Sequence, residues 1–354
     1  MEVHRWRPSM VHSRRCEVHE DADQQRCDQV RGIEWKAMRG TPVVTSARFG
    51  TLPPLLSGVL TRFAPGGAPL KPGLYESALG DFNLSLRQFD LVATVFALRG
   101  LFEWRVAAVA SVVLSRGDIV FEGGAQMGTE TLFYCTRVGP GGKVISFEAD
   151  ATIAEALRGE VSRQGFTQCT VMAKALGPRV GEALFDVASS PGQNSGLGSL
   201  APDEAPATDR ITVEVATLDD AFAEHGRPAL VVMDIQGGEL GAIRGGRRVL
   251  AEARPVMIIE VESGSLARLG GSAEELHEML LAEDYDCWRM TRFGLRRVHA
   301  PHADELGDWL VLPRERTDGL LRKLRTALLV GALTPPRSRF SPFALRRRPH
   351  AGGE

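Results

Sequence analysis

The stretch that decides the fold of this chain is Asp118-Ile-Val-Phe-Glu-Gly-Gly-Ala-Gln-Met-Gly128. A short apolar run ends in the acid Glu122, small residues follow, and Gly128 begins a helical pattern. This order predicts a buried strand, a tight turn and a helix, and the small residues would let a ligand lie against backbone N–H groups at the helix N-terminus. Such an arrangement suits a cofactor derived from a nucleoside.

A second acid follows the next apolar run of the chain. Residues 143–147, Lys-Val-Ile-Ser-Phe, predict a strand that ends at Glu148. In nucleotide-binding α/β folds, an acid at the end of the second strand accepts hydrogen bonds from the ribose hydroxyls. Glu148 is therefore a candidate ribose ligand. The alternative is an ordinary surface acid in front of a helix.

Further segments agree with these two. They are Phe147-Glu-Ala-Asp150, Ala175-Leu-Gly177, Thr217-Leu-Asp-Asp220, Ala229-Leu-Val-Val-Met-Asp-Ile-Gln-Gly-Gly-Glu-Leu240, Ile243-Arg-Gly-Gly246 and Pro255-Val-Met-Ile-Ile-Glu-Val261. With the opening stretch, in order over roughly residues 117–262, they resemble the FkbM family of S-adenosylmethionine-dependent methyltransferases. The resemblance implies an α/β protein with the Rossmann-like class I methyltransferase fold, in which a mainly parallel sheet carries helices on both faces.

The resemblance also implies a cofactor, S-adenosyl-L-methionine, and residues that would bind it. Glu122 would lie near the ammonium group of the methionine part, and Glu148 would hold the ribose. Asp234 could contact the methionine amine. The methionine part would be lined by the small residues of the opening stretch, namely Gly123, Gly124, Ala125 and Gly128.

The catalytic candidates are two acids near the end of a predicted central strand, where α/β sheets present ligands. Asp234 could serve as the base, and Glu239 is either catalytic or a first-turn acid that stabilises the helix dipole. Glu260, on the following strand, is either an acid that supports the site residues or a carboxylate at the edge of the core, and the structural interpretation is favoured. None of the eight histidines is favoured as a base, and His277 is expected on the surface of a helix.

The chain departs from the usual family pattern at four positions. Glu122 stands where the family has Asp, and Ala149 where it has Pro. Val232 and Gln236 replace a Lys and a Glu, whereas Asp234 remains. These two changes keep open the hypothesis of a binding module on a methyltransferase fold that has lost catalysis.

Two other hypotheses concern the reaction. The resemblance favours O-methylation of a small molecule or a sugar, so the expected partner is a small-molecule or glycan acceptor. An NAD(P)-linked oxidoreductase is disfavoured, because the pyrophosphate fingerprint needs Gly at its second position and Ala125 stands there.

Composition narrows the class of protein. Of 354 residues, 44% are hydrophobic, which is enough for a substantial core. The net charge of −2 does not show the excess of positive charge that is typical of nucleic-acid-binding proteins. The longest apolar region, residues 91–114, is interrupted by charged residues and predicts core helices rather than a membrane span. The N-terminus lacks the pattern of a signal peptide.

The cysteines indicate the compartment. They number five and are widely spaced, so they predict neither a disulfide framework nor a metal site, and a reducing cytoplasm is expected. They are Cys16, Cys27, Cys135, Cys169 and Cys287.

Four regions are expected along the chain. Residues 1–45 predict a disordered extension, and residues 46–116 a loop with helices over 83–115 that pack on the core. The methyltransferase domain is expected over residues 117–315, and a C-terminal helix with a basic tail over residues 316–354. The long loop 189–209 is a candidate lid. The predicted strands are 118–122, 143–148, 169–174, 182–187, 211–215, 229–234, 255–261, 285–290 and 308–312.

Overall fold

The computed structural model describes residues 43–44, 52–54, 56, 71–86, 90–187, 198–201, 210–291 and 294–344. All of them belong to one compact unit, residues 40–354. The predicted extension over residues 1–45, apart from residues 43–44, lies outside the described residues. So do most of the loop 189–209 and the end of the basic tail.

From β4 to β6 and from β10 to β13 the described strands are separated by helices, whereas β6 to β10 and β13 to β15 follow one another directly. The strands are β1 (Val43–Val44), β2 (Gly73–Glu76), β3 (Asn83–Leu86), β4 (Ile119–Gly123), β5 (Lys143–Phe147), β6 (Cys169–Met172), β7 (Ala175–Leu176), β8 (Gly181–Asp186), β9 (Ser199–Leu200), β10 (Arg210–Ala216), β11 (Leu230–Met233), β12 (Val256–Glu262), β13 (Tyr285–Thr291), β14 (Gly294–Arg297) and β15 (Leu306–Pro313). The helices are α1 (Leu91–Arg99), α2 (Trp104–Val113), α3 (Thr129–Val138), α4 (Ala151–Gln164), α5 (Leu218–His225), α6 (Glu239–Arg244), a π-helical turn (Val249–Ala253), α7 (Ser263–Arg268), α8 (Ala273–Ala282) and α9 (Arg314–Leu333).

The central sheet has eight strands in the order β14-β13-β15-β12-β11-β4-β5-β6. From β6 to β12 all neighbours are parallel, and β15 runs antiparallel between β12 and β13. The predicted α/β fold with a mainly parallel sheet is confirmed. Because parallel strands end at one edge, the loops after β4, β5 and β11 lie side by side.

Both faces of this sheet are covered by helices, because its strands are apolar on both sides. Val120 and Val144 face a core built with α1 to α4 and α9. Phe121 and Ile145 face a second core built with α5 to α8. Among the described residues, no helix is long and apolar enough to cross a membrane.

Two expectations about local structure were wrong. Residues 83–86 form β3 and pair with β2, because Asn-Leu-Ser-Leu alternates between half-buried and buried positions. The helical region therefore begins only at Leu91, where the Asp90 carboxylate accepts the N–H of Ala93 at 2.8 Å. The predicted strands 182–187 and 211–215 are confirmed as β8 and β10, and they pair in a small separate sheet of order β7-β10-β8-β9. His277 is buried and lies edge-on to Trp309, at 5.7 Å between ring centroids.

Candidate active site

A cavity of about 420 Å³ opens at the carboxyl ends of the central parallel strands. It is the place where open α/β sheets bind ligands. The predicted residues that line it are Glu122, Gly123, Gly124, Ala125, Glu148 and Asp234. The fold thus gathers six of the eight sequence candidates in one cavity. The other two, Gly128 and Glu239, are not among the residues that line it.

The glycine loop after β4 packs against the loop after β11. Gly124 has φ of +80°, and a Cβ there would lie 1.9 Å from the carbonyl oxygen of Asp234. Its N–H and that of Ala125 donate to the carbonyl of Phe147 at 2.9 and 3.2 Å. These donors are therefore used within the protein, in contrast to the expectation that a ligand would take them. Glycine is required here because two backbones meet, and this contact places the loop beside Asp234.

Glu148 is buried at the end of β5, so the alternative of a surface acid was wrong. Its Oε2 accepts the N–H of Gln126 at 2.9 Å, and its Oε1 accepts the N–H of Asp150 at 3.0 Å. Burial raises the pKa of Glu148 to about 7. Each carboxylate oxygen has two lone pairs, so both oxygens can accept a second bond from a ligand hydroxyl.

Glu122, a buried acid on β4, lines the same cavity. Its Oε2 accepts hydrogen bonds from the hydroxyls of Thr131 and Ser146, at 2.7 and 2.6 Å. Burial raises the pKa of Glu122 to about 8, although both hydroxyls favour the ionised form. A nearby positive charge on a ligand would relieve this burial cost.

Asp234, Gln236 and Glu260 form a hydrogen-bonded trio. The side-chain nitrogen of Gln236 donates to Oδ1 of Asp234 at 2.7 Å and to Oε2 of Glu260 at 2.8 Å. Burial, together with the adjacent Asp234 carboxylate, raises the pKa of Glu260 to about 10. Glu260 therefore carries a proton at neutral pH and lines the cavity, which corrects the expectation of a purely structural acid. Gln236 itself has a φ of 51°, an unusual conformation for a residue other than glycine.

Glu239 and Gly128 do not line the cavity, and each stabilises the conformation of a loop beside it. Both Glu239 oxygens accept the N–H of Gly237, and one also accepts the N–H of Ile235. The fully buried Glu239 thus positions the turn that carries Asp234, in place of the catalytic role suggested by the sequence. Gly128 has φ of +87°, and a Cβ there would lie 2.4 Å from the side chain of Leu157. Glycine is therefore required at position 128 by the backbone conformation and the lack of space for a side chain.

The cavity wall is acidic. Only one basic side chain lines it in the described part of the chain, Lys174, and it pairs with Glu214 at 2.9 Å. Sequence motifs did not indicate four of its acids, Glu103, Glu130, Glu262 and Asp308. The carboxyl side chains of the wall are Glu103, Glu122, Glu130, Glu148, Asp150, Asp234, Glu260, Glu262 and Asp308.

The chain is similar to known methyltransferases. The family model of the methyltransferase FkbM domain matches residues 122–287, which confirms the resemblance seen in the sequence. No curated protein matches the chain.

Solved structures of methyltransferases resemble it as well. Methyltransferase FkbM from Methylobacillus flagellatus KT is 19% identical with a TM-score of 0.37, over 63% of this chain and 56% of that one. A SAM-dependent O-methyltransferase from Thermotoga maritima is 11% identical with a TM-score of 0.33, over 68% and 77%. An O-methyltransferase from Bacillus cereus in complex with SAH is 12% identical with a TM-score of 0.34, over 59% and 78%.

Proposed function

We propose that this chain, which carries a methyltransferase domain of the FkbM type in residues 122–287, is an S-adenosylmethionine-dependent O-methyltransferase. The acceptor would be a hydroxyl group of a small molecule or a sugar. One observation carries the proposal: the glycine loop, the buried Glu148 and the accessible Asp234 meet in a single cavity at the carboxyl edge of the sheet.

The wall of the cavity fits the proposed cofactor. The loop at Gly123 and Gly124 presents no side chains, and Glu148 keeps acceptor capacity for the two ribose hydroxyls. The buried Glu122 would lie near the ammonium group of the methionine part. When bound, S-adenosylmethionine supplies a methyl group already activated by its positively charged sulfur.

The catalytic task of the protein is to position an acceptor hydroxyl and to accept its proton. Asp234 is accessible in the cavity, and the amide of Gln236 holds one of its oxygens. The other oxygen would accept the proton. Glu260 is protonated at neutral pH and therefore cannot compete for that role.

A second candidate function is a cofactor-binding module without catalysis. It is favoured by one contact, because the Gln236 amide occupies Oδ1 of Asp234 at 2.7 Å and so weakens this group as a base. The two candidates share the cofactor and differ only in turnover. For both candidate functions, we also propose the cytoplasm as the compartment, as the cysteines of the sequence predict. Cys135, Cys169 and Cys287 are free, which supports it.

Thermal unfolding with added ligands tests the cofactor. S-adenosylmethionine and S-adenosylhomocysteine should each raise the melting temperature, since both would bind only the folded protein. NADH should not. Stabilisation by NADH with none from S-adenosylmethionine would contradict the proposal and favour an oxidoreductase.

A panel of hydroxylated acceptors then separates enzyme from binding module. Production of S-adenosylhomocysteine with any acceptor supports the enzyme. Tight cofactor binding without turnover on the whole panel supports the module. Activity that appears only in the double variant Val232→Lys with Gln236→Glu would strengthen the second outcome.

A further inference from the structure

The half of the cavity away from the glycine loop contains a cluster of acids that no motif indicated. We call it the acid pocket: Glu103 before α2, Glu130 in the first turn of α3, and Asp308 on β15. The N–H of Glu103 lies 3.4 Å from Oε1 of Glu130. Nη2 of Arg105 lies 3.4 Å from Oδ2 of Asp308 and 3.8 Å from Oε2 of Glu103. One guanidinium therefore faces two carboxyl groups, and the third, that of Glu130, lies next to the backbone of Glu103.

Further acids border the acid pocket. Asp308 stands directly opposite Glu260 in the antiparallel pair of β12 and β15, so their carboxyl side chains are direct neighbours on the sheet. Asp234 lies close enough to Glu103, Glu130 and Asp308 to influence their pKa values. Burial and these neighbours raise the pKa of Glu103 to about 8 and raise those of Glu130 and Asp308. Among the described residues, Arg105 is the only basic side chain that pairs with these acids, so the cluster has room for a further positive charge.

Tyr134 gives a second, independent indication of a ligand. Its side chain is completely buried and lines the cavity, yet its hydroxyl has no hydrogen-bond partner among the described residues. Burial raises the pKa of Tyr134, and the nearby carboxylates of Glu122, Glu130 and Glu103 raise it further, so the hydroxyl lies among the acids of the cavity. Buried hydroxyls are normally bonded, and an unbonded one beside a cavity indicates a place for a ligand atom.

The size of the cavity and its rim restrict the nature of this ligand. In the described part of the chain, no three acids are arranged to hold a metal ion, so an organic cation fits better. The mouth of the cavity is apolar: Leu91 and Leu306 line it and are 61% and 69% exposed. Phe102 lines it as well.

We propose that the acceptor is an amino alcohol or an aminophenol that binds as a cation, with its ammonium group in the acid pocket and its hydroxyl at Asp234. The ammonium would donate to Glu130, Asp308 and the phenolic oxygen of Tyr134. A hydrocarbon or aromatic body would lie against Leu91, Phe102 and Leu306. The inference rests on the proposed O-methyltransferase function and names its substrate class.

Matched pairs of probes test the charge of the acceptor. In each pair, the amino group of the first compound is replaced by a hydroxyl group in the second. The pairs are tyramine with 4-(2-hydroxyethyl)phenol, 5-aminopentan-1-ol with pentane-1,5-diol, and D-glucosamine with D-glucose. The full chain is first saturated with S-adenosylhomocysteine, and its melting temperature is followed as each probe is added. At least one apolar amine should raise it further, and its neutral partner should not. Because of the apolar rim, glucosamine should be weaker than the apolar amines.

Variants test the pocket. Tyr134→Phe removes an unbonded hydroxyl, so the melting temperature without probe should hold or rise while the affinity for the amine falls several-fold. Asp308→Asn and Glu130→Gln should each weaken the amine about tenfold, the scale of losing one charge-assisted bond. The matched control is Glu278→Gln, an exposed acid on α8, which should bind the amine like the parent.

The outcomes are separable. If S-adenosylhomocysteine stabilises the protein and no amine does, or if the neutral partner stabilises it equally, the inference is overturned and the proposed function stands. If S-adenosylhomocysteine itself has no effect, the proposed function fails and the inference fails with it. An amine effect that survives in Tyr134→Phe and in both acid variants would also overturn it.

Discussion

Glu148→Gln is the sharpest perturbation of the proposed cofactor site. The carboxylate accepts the N–H groups of Gln126 and Asp150, at 2.9 and 3.0 Å, and its remaining lone pairs face the cavity. Glutamine replaces one oxygen with an NH₂ group, which must point either at a backbone donor or at the ribose. A hydrogen bond to a charged group is worth about 1.5–3 kcal/mol. The affinity for S-adenosylhomocysteine should therefore fall roughly 10- to 100-fold.

The pKa of Glu148 adds a signature that a merely structural effect would lack. Because burial raises this pKa to about 7, the parent carboxyl is ionised at pH 8.5 and mostly protonated at pH 6. The protonated acid resembles glutamine, so the affinity ratio of parent to variant should be large at pH 8.5 and should shrink at pH 6. Isothermal titration calorimetry at the two pH values measures this ratio.

A control and a second ligand complete the experiment. Glu155→Gln removes a charge from an exposed position on α4 and should leave the affinity unchanged. An adenosine thioether without the 2′- and 3′-hydroxyls should bind parent and Glu148→Gln alike. Equal affinity of both proteins for S-adenosylhomocysteine, with the fold retained, would refute the assignment of the ribose to Glu148.

Three other expectations follow from the same contacts. The pKa of Glu122 is raised from 4.5 to about 8, so ionisation of this carboxyl group opposes folding. As the pH rises from 4.5 to 8, the free energy of unfolding of the ligand-free parent should therefore fall relative to that of Glu122→Gln. The expected loss is on the order of 1.4 kcal/mol per unit of pKa shift. Urea unfolding at pH 5 and 8.5 measures this, and a constant difference would contradict it. Asp234→Asn should lower turnover about 100-fold with little change in cofactor affinity. Steady-state kinetics with an identified acceptor measures this, and an unchanged turnover would contradict the role of Asp234 as the base. Gly124→Ala should lower the free energy of unfolding by about 2 kcal/mol or more, because φ is +80° and the new Cβ would meet the Asp234 carbonyl. The control Gly141→Ala, where a Cβ meets nothing within 4 Å, should cost much less in urea unfolding.

The two positions at which this chain lacks the charged residues usual in the family, 232 and 236, compensate for each other electrostatically. The usual family residues there are a Lys and a Glu, whose charges balance, and this chain has a Val and a Gln. Val232 lines the cavity, and the Gln236 amide donates to both Asp234 and Glu260. A glutamate at 236 without a lysine at 232 would bring a third carboxyl group to these two. The neutral pair therefore preserves local charge balance.

Local signals in the sequence predicted the part of the site that lies near glycines. Glu148 and Asp234 each follow an apolar run, and their positions depend only on strand ends and on the parallel order of the sheet. Nothing local marks Glu103 or Asp308, which are separated by most of the domain and meet only because β15 enters beside β12. The same limit applies to β8 and β10: their strand pattern was correct, but the choice of partner is a long-range one.

The insertion of β15 between β12 and β13 has a consequence for synthesis of the protein on the ribosome. The chain makes β13 and β14 before β15, yet β13 joins the sheet only through β15. Until residues 306–313 have emerged, β12 therefore presents an unpaired edge rich in apolar side chains such as Met257 and Ile259. Such edges promote pairing with other chains. A nascent chain that stalls before β15 should therefore depend on chaperones, and the cavity wall at Asp308 forms only when translation of the domain is nearly complete.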